Sequence, residues 1–483
     1  MTRWRAAATL ALIAWCIVVV ALRRPARITD DWMGWRQADT QAIARNFVEE
    51  GFTPLHPRID WRGDGPGFVE TEMQVYPAVI AATMEVTGEA EWPGQLLSLA
   101  CTVAALALLA AALARRYGEP AGFVALLALL GHQGTLAIAT SIQPDSLALL
   151  LFVIGWLAFV ADLEAPSRRM LALWIAATAL AGLVKPTTLE LGVAQFVLAA
   201  FAHRLRAPRL WLGWAIVVAI AIAYLAYART LYLTYGNTFG VLSGGDSKLP
   251  AVAMLKDPET WIGLARYGVF WGVGALAVPA ALYLAWRRAL EPAHYALAAG
   301  AVLLVVLALR YTSGTFGTHY HLPHIVLGGW LVAAAAARLG RTKITIAAVA
   351  VCSFALGLRG LHFLRALRPE PETTLGDQLA ALAPPGTLVV VRARAEGFNT
   401  EWHTANNFQD PRVLYLSRTK GWVLPNELAG SAGVEDAARR GAQFYVHVHQ
   451  KPLDPELAAW LAARATLVAT SPAGEIYALS RTK

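Results

Sequence analysis

Residues 95–114 read QLLSLACTVAALALLAAALA, twenty positions without a charge, and Arg115-Arg116 follow at once. As a helix, a run of that length matches the apolar thickness of a bilayer, and the basic pair marks the membrane surface. Similar runs lie on both sides, at 6–22, 121–139, 146–162, 170–184, 188–202, 210–228, 267–285, 294–310, 323–338 and 343–358. They predict an α-helical polytopic membrane protein with about eleven spanning helices. Composition agrees, since 57% of the 483 residues are hydrophobic and only 15% are charged, which is too apolar for an ordinary soluble domain.

A net charge of +8 in a soluble protein would suggest nucleic acid as a partner. Here the basic residues sit in short connections between apolar runs, where they orient a membrane protein, and nucleic-acid binding is not expected. Arg3/Arg5, Arg115/Arg116, Arg168/Arg169, Arg204/Arg206/Arg209, Arg287/Arg288 and Arg338/Arg341/Lys343 occupy every second connection. All fall on one side if the N-terminus is cytoplasmic, against the dissent of Arg23, Arg24 and Arg27 at the head of a long loop. The expected location is the cell (inner) membrane, with the first run an uncleaved anchor because no small-residue cleavage site follows it. Cys16, Cys101 and Cys352 lie inside apolar runs without ligand spacing, so neither a disulfide nor a zinc site is expected.

The other, extracytoplasmic face then carries a loop at 23–94, turns at Ser141–Asp145 and Lys185-Pro186, a loop at 229–266, the turn Arg310–Leu322 and a polar tail. The expected organisation is a transmembrane module over 1–358 and a small extracytoplasmic α/β domain over 359–483. In the tail, Gly376–Ala383, Val434–Arg440 and Pro455–Ala463 look helical, and Thr387–Val391, Val413–Leu416 and Phe444–Val448 look like strands.

Twelve of the 33 acidic residues lie between Asp30 and Glu91. The run from Asp30 to Phe47 (DDWMGWRQADTQAIARNF) starts just beyond the first apolar helix, and from about Gln37 it has helical spacing, with Ala38, Ala42 and Ile43 on one side. Carboxylates at an interface of reduced dielectric, flanked by Trp32 and Trp35, can serve as general bases. The blander reading makes Asp30 or Asp31 a helix cap and the tryptophans an interfacial belt. Asp39, inside the helix, does no capping. The base stays open among Asp39, Asp31 and Asp30.

The stretches Gly34–Thr40 (GWRQADT), Ile43–Phe47 (IARNF) and Glu72–Pro77 (EMQVYP), with the Gly88 turn, resemble the bacterial polytopic glycosyltransferases of the GT-C superfamily. These glycosyltransferase 39-like enzymes are relatives of protein O-mannosyltransferases and of the aminoarabinose transferase that modifies lipid A. The resemblance covers the helical region. It implies a GT-C-like fold, a catalytic acid in the first outer loop and a polyprenyl-phosphate-linked sugar as donor. Asp30-Asp31 stands where many members have Asp-Glu, and no Pro-Pro follows the second acid. Gln143-Pro-Asp145 resembles a recurrent Pro-Asp of these enzymes, with a helix N-cap as its plain reading. Arg310-Tyr311 and the Thr318–Pro323 turn, with His319 and Tyr320, resemble their late His-Tyr turn.

The mechanism expected is inverting: an outer-loop Asp takes the proton of an acceptor hydroxyl, which attacks the anomeric carbon while the lipid phosphate leaves. Lys185, Arg310 and His319 are candidates to stabilise that phosphate, although Lys185 also suits snorkelling or a pair with Glu190. Arg36 can orient the acid or grip phosphate bidentately, Glu72 and Asp145 belong to the family-like stretches, and Lys248 closes a Gly-rich turn able to wrap phosphate. His319, His321 and His324 have no acid at ligand spacing, so no metal site is assigned; no cofactor is called for and a divalent cation is allowed. The partners expected are the lipid-linked sugar, an acceptor on glycan, lipid or protein, and membrane lipids. The alternative is a transporter or flippase of a lipid-linked or small polar substrate, which would place ionisable residues mid-bilayer. His132-Gln133 does lie inside a predicted span, where a polar pair more often bonds one helix to another.

Overall fold

The structure, a computed structural model, describes residues 2–23, 27–243, 252–340, 342–400, 404–406, 408–449 and 452–480. It divides into two units. The first comprises Met1–Ala26, Gly94–Tyr224 and Lys248–Ala366; the second comprises Arg27–Pro93, Leu225–Ser247 and Leu367–Lys483.

Most of the predicted apolar runs are helical. Among the described residues six helices are long and apolar enough to cross a bilayer: Arg3–Leu22, Trp92–Tyr117, Asp145–Glu164, Pro208–Tyr235, Gly317–Leu339 and Thr342–Arg365. Others are shorter, such as Glu119–Leu130, Pro186–Phe201 and Pro292–Leu307. Apolar burial drives little association in lipid, so close backbone approach and interlocking side chains hold the helices together. Trp174, Phe159 and Trp214 interlock in this way, Phe159 edge-on to Trp174 at 5.3 Å. A Cβ on Gly213 would come within 2.2 Å of the Trp174 ring. At the turn between helices Asp145–Glu164 and Arg168–Val184, buried Asp162 accepts the Ser167 N–H at 2.9 Å and Arg209 at 3.2 Å.

Two predicted spans are broken. Residues 121–139 form helices Glu119–Leu130 and Gln133–Ile138, separated at Gly131-His132. The His132 ring caps the second helix by accepting the Gly134 and Thr135 N–H groups, and it also bonds the backbone of Gly272 on another helix. Residues 267–285 likewise split: Pro258–Val273 and Ala277–Trp286 meet at 94°. Gly274, at φ +88°, makes the corner, a conformation side chains disfavour.

In the second unit the tail builds a five-stranded sheet: β1 (Leu388–Arg392), β2 (Lys420–Leu424), β3 (Phe444–Val448), β4 (Ala465–Ser471) and β5 (Gly474–Leu479), in the order β2-β1-β3-β5-β4. The first three run parallel, and β5 pairs antiparallel with both β3 and β4. Parallel neighbours need crossover connections, supplied here by helices Arg412–Ser417 and Ser431–Arg439. Val390, Tyr445, Val434, Leu457 and Leu461 form the core of one face. Val413–Leu416 is thus helix and not strand: a four-residue apolar run carries no decisive period, and here it serves as a crossover.

The first loop belongs to the same unit. The Gly421 N–H donates to the Asp60 carbonyl at 3.1 Å, and its own carbonyl accepts the Gly63 N–H at 2.7 Å. Beneath this lies a buried charge cluster. Asp60 accepts from Arg45 at 2.5 Å, from Asn46 at 3.1 Å and from the Lys420 ammonium. Burial raises the proton affinity of Asp60, but Arg45 and Lys420 outweigh it and hold the carboxyl below its usual range. Glu50 is also opposed by burial, yet Arg62 and Arg58 bring it down to about 2.

Candidate active site

Entry into helix Gly34–Glu49 is tight. Met33 takes the left-handed conformation at φ 54°, and a Cβ on Gly34 would sit 2.3 Å from the Thr29 carbonyl oxygen. That geometry places the carboxylate of Asp31 at the foot of the helix, where the Gln37 amide donates to Oδ2 at 3.1 Å and to the Trp32 carbonyl at 2.8 Å. The N-cap is Met33, without a side-chain cap, so neither Asp30 nor Asp31 performs the capping of the blander reading. Asp30 ends a short 3-10 turn, Ile28–Asp30, and its Oδ1 is buried with no hydrogen-bond partner among the described residues.

Asp39 stands apart from this foot. It is buried, and its Oδ1 accepts the Trp61 indole N–H at 2.9 Å. Burial pushes its carboxyl well above the usual range; the Trp61 bond opposes the shift and the nearby Asp60 and Asp410 add to it. Arg36 and Glu72 pair at 2.5 Å, half-buried, and the Thr71 hydroxyl donates to Glu72 Oε2 at 3.0 Å. Arg36 therefore faces an acid of this loop.

The first unit gathers the other candidates. Pro186 disfavours helix at the residue before it, so helix Arg168–Val184 ends with Lys185 in an extended conformation. The Lys185 ammonium meets Asp145 at 2.9 Å, both groups buried, and lies 5.6 Å from the centre of the Tyr320 ring. Glu190, the partner that the plain reading offered Lys185, has its Oε2 3.2 Å from His324 Nε2. Asp145 opens helix Asp145–Glu164 behind the N-cap Pro144, so its carboxylate serves the ion pair and not a cap. His319 packs on Tyr320 at 4.4 Å between ring centres, and Tyr311 meets Tyr320 edge-on at 5.4 Å. Arg310, half-buried, precedes Tyr311 in the short helix Leu309–Thr312. The His321 ring approaches the Thr312 carbonyl at 2.7 Å. Lys248 and most of its Gly-rich turn lie outside the described residues.

Asp145, Lys185, His319 and Tyr320 thus converge, as do Asp31 and Gln37, while Asp39 turns to Trp61. The sequence reading missed Gln37, Trp61 and the Glu190–His324 pair. Gln37 was traceable, one turn above the helix foot; Trp61 and His324 lie too far along the chain for spacing to show them.

Residues 74–227 match the family model of dolichyl-phosphate-mannose-protein mannosyltransferases. ArnT from Cupriavidus metallidurans in the apo state superimposes with a TM-score of 0.64 over 98% of both chains, at 15% identity. The chain has the GT-C fold. The same GT-C likeness extends to ArnT bound to undecaprenyl phosphate, with a TM-score of 0.62, 15% identity and 98% of both chains covered. It also takes in the oligosaccharyltransferase of Archaeoglobus fulgidus, with a TM-score of 0.54 at 10% identity over 97% of this chain and 73% of that one. Arabinofuranosyltransferase AftD from Mycobacteria matches with a TM-score of 0.53 at 16% identity, over 100% of this GT-C chain and 40% of its own. None of the curated proteins matches the chain. At these identities the likeness is one of fold, and the membrane helices fit it.

Proposed function

We propose that this GT-C protein is a glycosyltransferase that moves a sugar from a polyprenyl-phosphate-linked donor to an acceptor hydroxyl on the extracytoplasmic face, with Asp31 as base. The observation that carries the reading is the end-to-end fold likeness to ArnT, a protein whose structure holds undecaprenyl phosphate. Asp31 takes the acceptor O–H proton, the acceptor oxygen bonds to the anomeric carbon, and the bond to the phosphate oxygen breaks with its electron pair. The configuration at that carbon inverts. Asp31 is preferred over Asp39 because it is only half-buried and is oriented by Gln37, whereas Asp39 is enclosed with Trp61 and held towards its neutral form. Arg36, paired with Glu72, steadies the loop.

The test is a reconstituted assay with radiolabelled polyprenyl-phosphate sugars and a membrane extract as acceptor source. Wild type is expected to discharge the lipid, and Asp31→Asn to bind donor normally while transfer falls at least about a hundredfold. Failure of wild type to consume any such donor would sink the reading, and full activity of Asp31→Asn would remove Asp31 from it.

A further inference from the structure

The helix breaks at Gly131-His132 and at Gly274 meet at one small open pocket. Its walls carry Gly274, Gly328, His132, Gln133, Phe270 and Arg359. Close packing builds it. A Cβ on Gly328 would lie 1.8 Å from the Val273 carbonyl oxygen, and one on Gly274 would lie 2.9 Å from the His132 ring. The helix Ile325–Leu339 can therefore press against the 94° corner only because glycine occupies both places.

The polar side chains on these walls all carry N–H groups. His132 Nδ1 accepts two backbone N–H groups, so the neutral ring carries its proton on Nε2, which is buried beside the Gly272 backbone. Gln133 adds an amide, and Arg359 adds a guanidinium stacked 4.1 Å from the centre of the Phe270 ring. Among the described residues no carboxylate lines the pocket. Arg359 is exposed on helix Thr342–Arg365, six residues short of its end, or about 9 Å along the axis. A cation at that depth of a spanning helix lies at the headgroup level of the adjoining leaflet.

We infer that this pocket binds the phosphate of an anionic phospholipid from that leaflet, with Arg359 on the oxyanion, Gln133 deeper in, and Phe270 fixing the guanidinium. The ligand chemistry is a phosphate diester entering sideways from lipid. It is independent of the transfer reaction and uses none of the residues proposed for it.

The test is native mass spectrometry of the full chain extracted from vesicles of phosphatidylglycerol mixed with phosphatidylcholine, comparing wild type with Arg359→Gln and Gln133→Leu. Wild type should retain phosphatidylglycerol over phosphatidylcholine, and Arg359→Gln should hold it roughly tenfold more weakly, the effect of losing one charge-assisted phosphate contact. Gln133→Leu, which leaves the surface cation in place, should weaken retention by a smaller factor and keeps the test alive if Arg359→Gln misfolds. Equal retention by wild type and both variants overturns the inference. So does release of phosphatidylglycerol by inorganic phosphate, which would make the site one for the free ion, or retention of polyprenyl phosphate alone.

Discussion

Replacing Asp39 by asparagine separates a buried structural acid from a base. In the folded protein Asp39 is enclosed and burial favours its neutral form, so an amide closely copies its shape and charge. Asparagine can still accept the Trp61 N–H now held at 2.9 Å, which preserves a bond worth about 1 kcal/mol. The sign of the pH effect follows from the raised proton affinity. Asp39 supports folding fully below the ordinary carboxylate value near 4, and its contribution is lost as pH rises through the higher folded value. Asparagine has no such dependence. Asp39→Asn should therefore unfold within about 1 kcal/mol of wild type at pH 5 and gain on it steadily towards pH 8. Turnover should stay within about threefold, less than 1 kcal/mol in the barrier, whereas loss of a general base costs about 10²–10⁴-fold. The assay pairs thermal unfolding across pH with sugar transfer from a polyprenyl-phosphate donor. A hundredfold fall in transfer with unchanged unfolding would refute the reasoning and make Asp39 the base.

Asp60→Asn leaves Arg45 and Lys420 buried with too little negative charge, and should destabilise the loop-and-tail unit by about 3 kcal/mol, read as faster limited proteolysis between residues 27 and 93. In wild type, Glu50 and Asp60 both carry lowered proton affinities, so their stabilisation is present above the ordinary carboxylate range and is lost as pH falls through the folded values, about 2 for Glu50. An acid titration of protease resistance should show that loss. Lys185→Met strands buried Asp145 and should lower the unfolding midpoint by an amount that corresponds to about 3 kcal/mol, while Lys185→Met with Asp145→Asn should recover most of it. Additive losses in the double variant would mean that the two groups are not coupled.

The membrane helices were legible because a bilayer imposes length and apolarity on a single continuous segment, and 95–114 meets both demands alone. The corners at Gly131 and Gly274 were not. Each depends on what packs against the glycine, Ser353 in one case and His132 in the other, and neither neighbour is close in sequence. The edge hairpin β4–β5 was missed although Pro472 and Gly474 mark its turn, because Ala465–Ser471 is only partly buried and its alternation is weak. In the candidate site, residue types were readable and pairings were not. Asp145 and Lys185 both stood out, forty positions apart, yet Lys185 appeared to suit Glu190, five residues away. Asp39 stood out because an acid inside a helix does no capping, and only the fold brings Trp61 to it.

The Asp60 cluster also sets a schedule for biogenesis. Its ammonium comes from Lys420, 360 residues further along the chain, which at ordinary rates of synthesis arrives roughly 20–70 s later. Until then Asp60, Arg45 and Asn46 have to stay hydrated, and the first loop waits in an unfinished form while the intervening helices enter the membrane. A ribosome that stops before codon 420 would leave a loop with its central cation missing, a lesion that quality-control proteases can recognise even when every membrane helix is already in place.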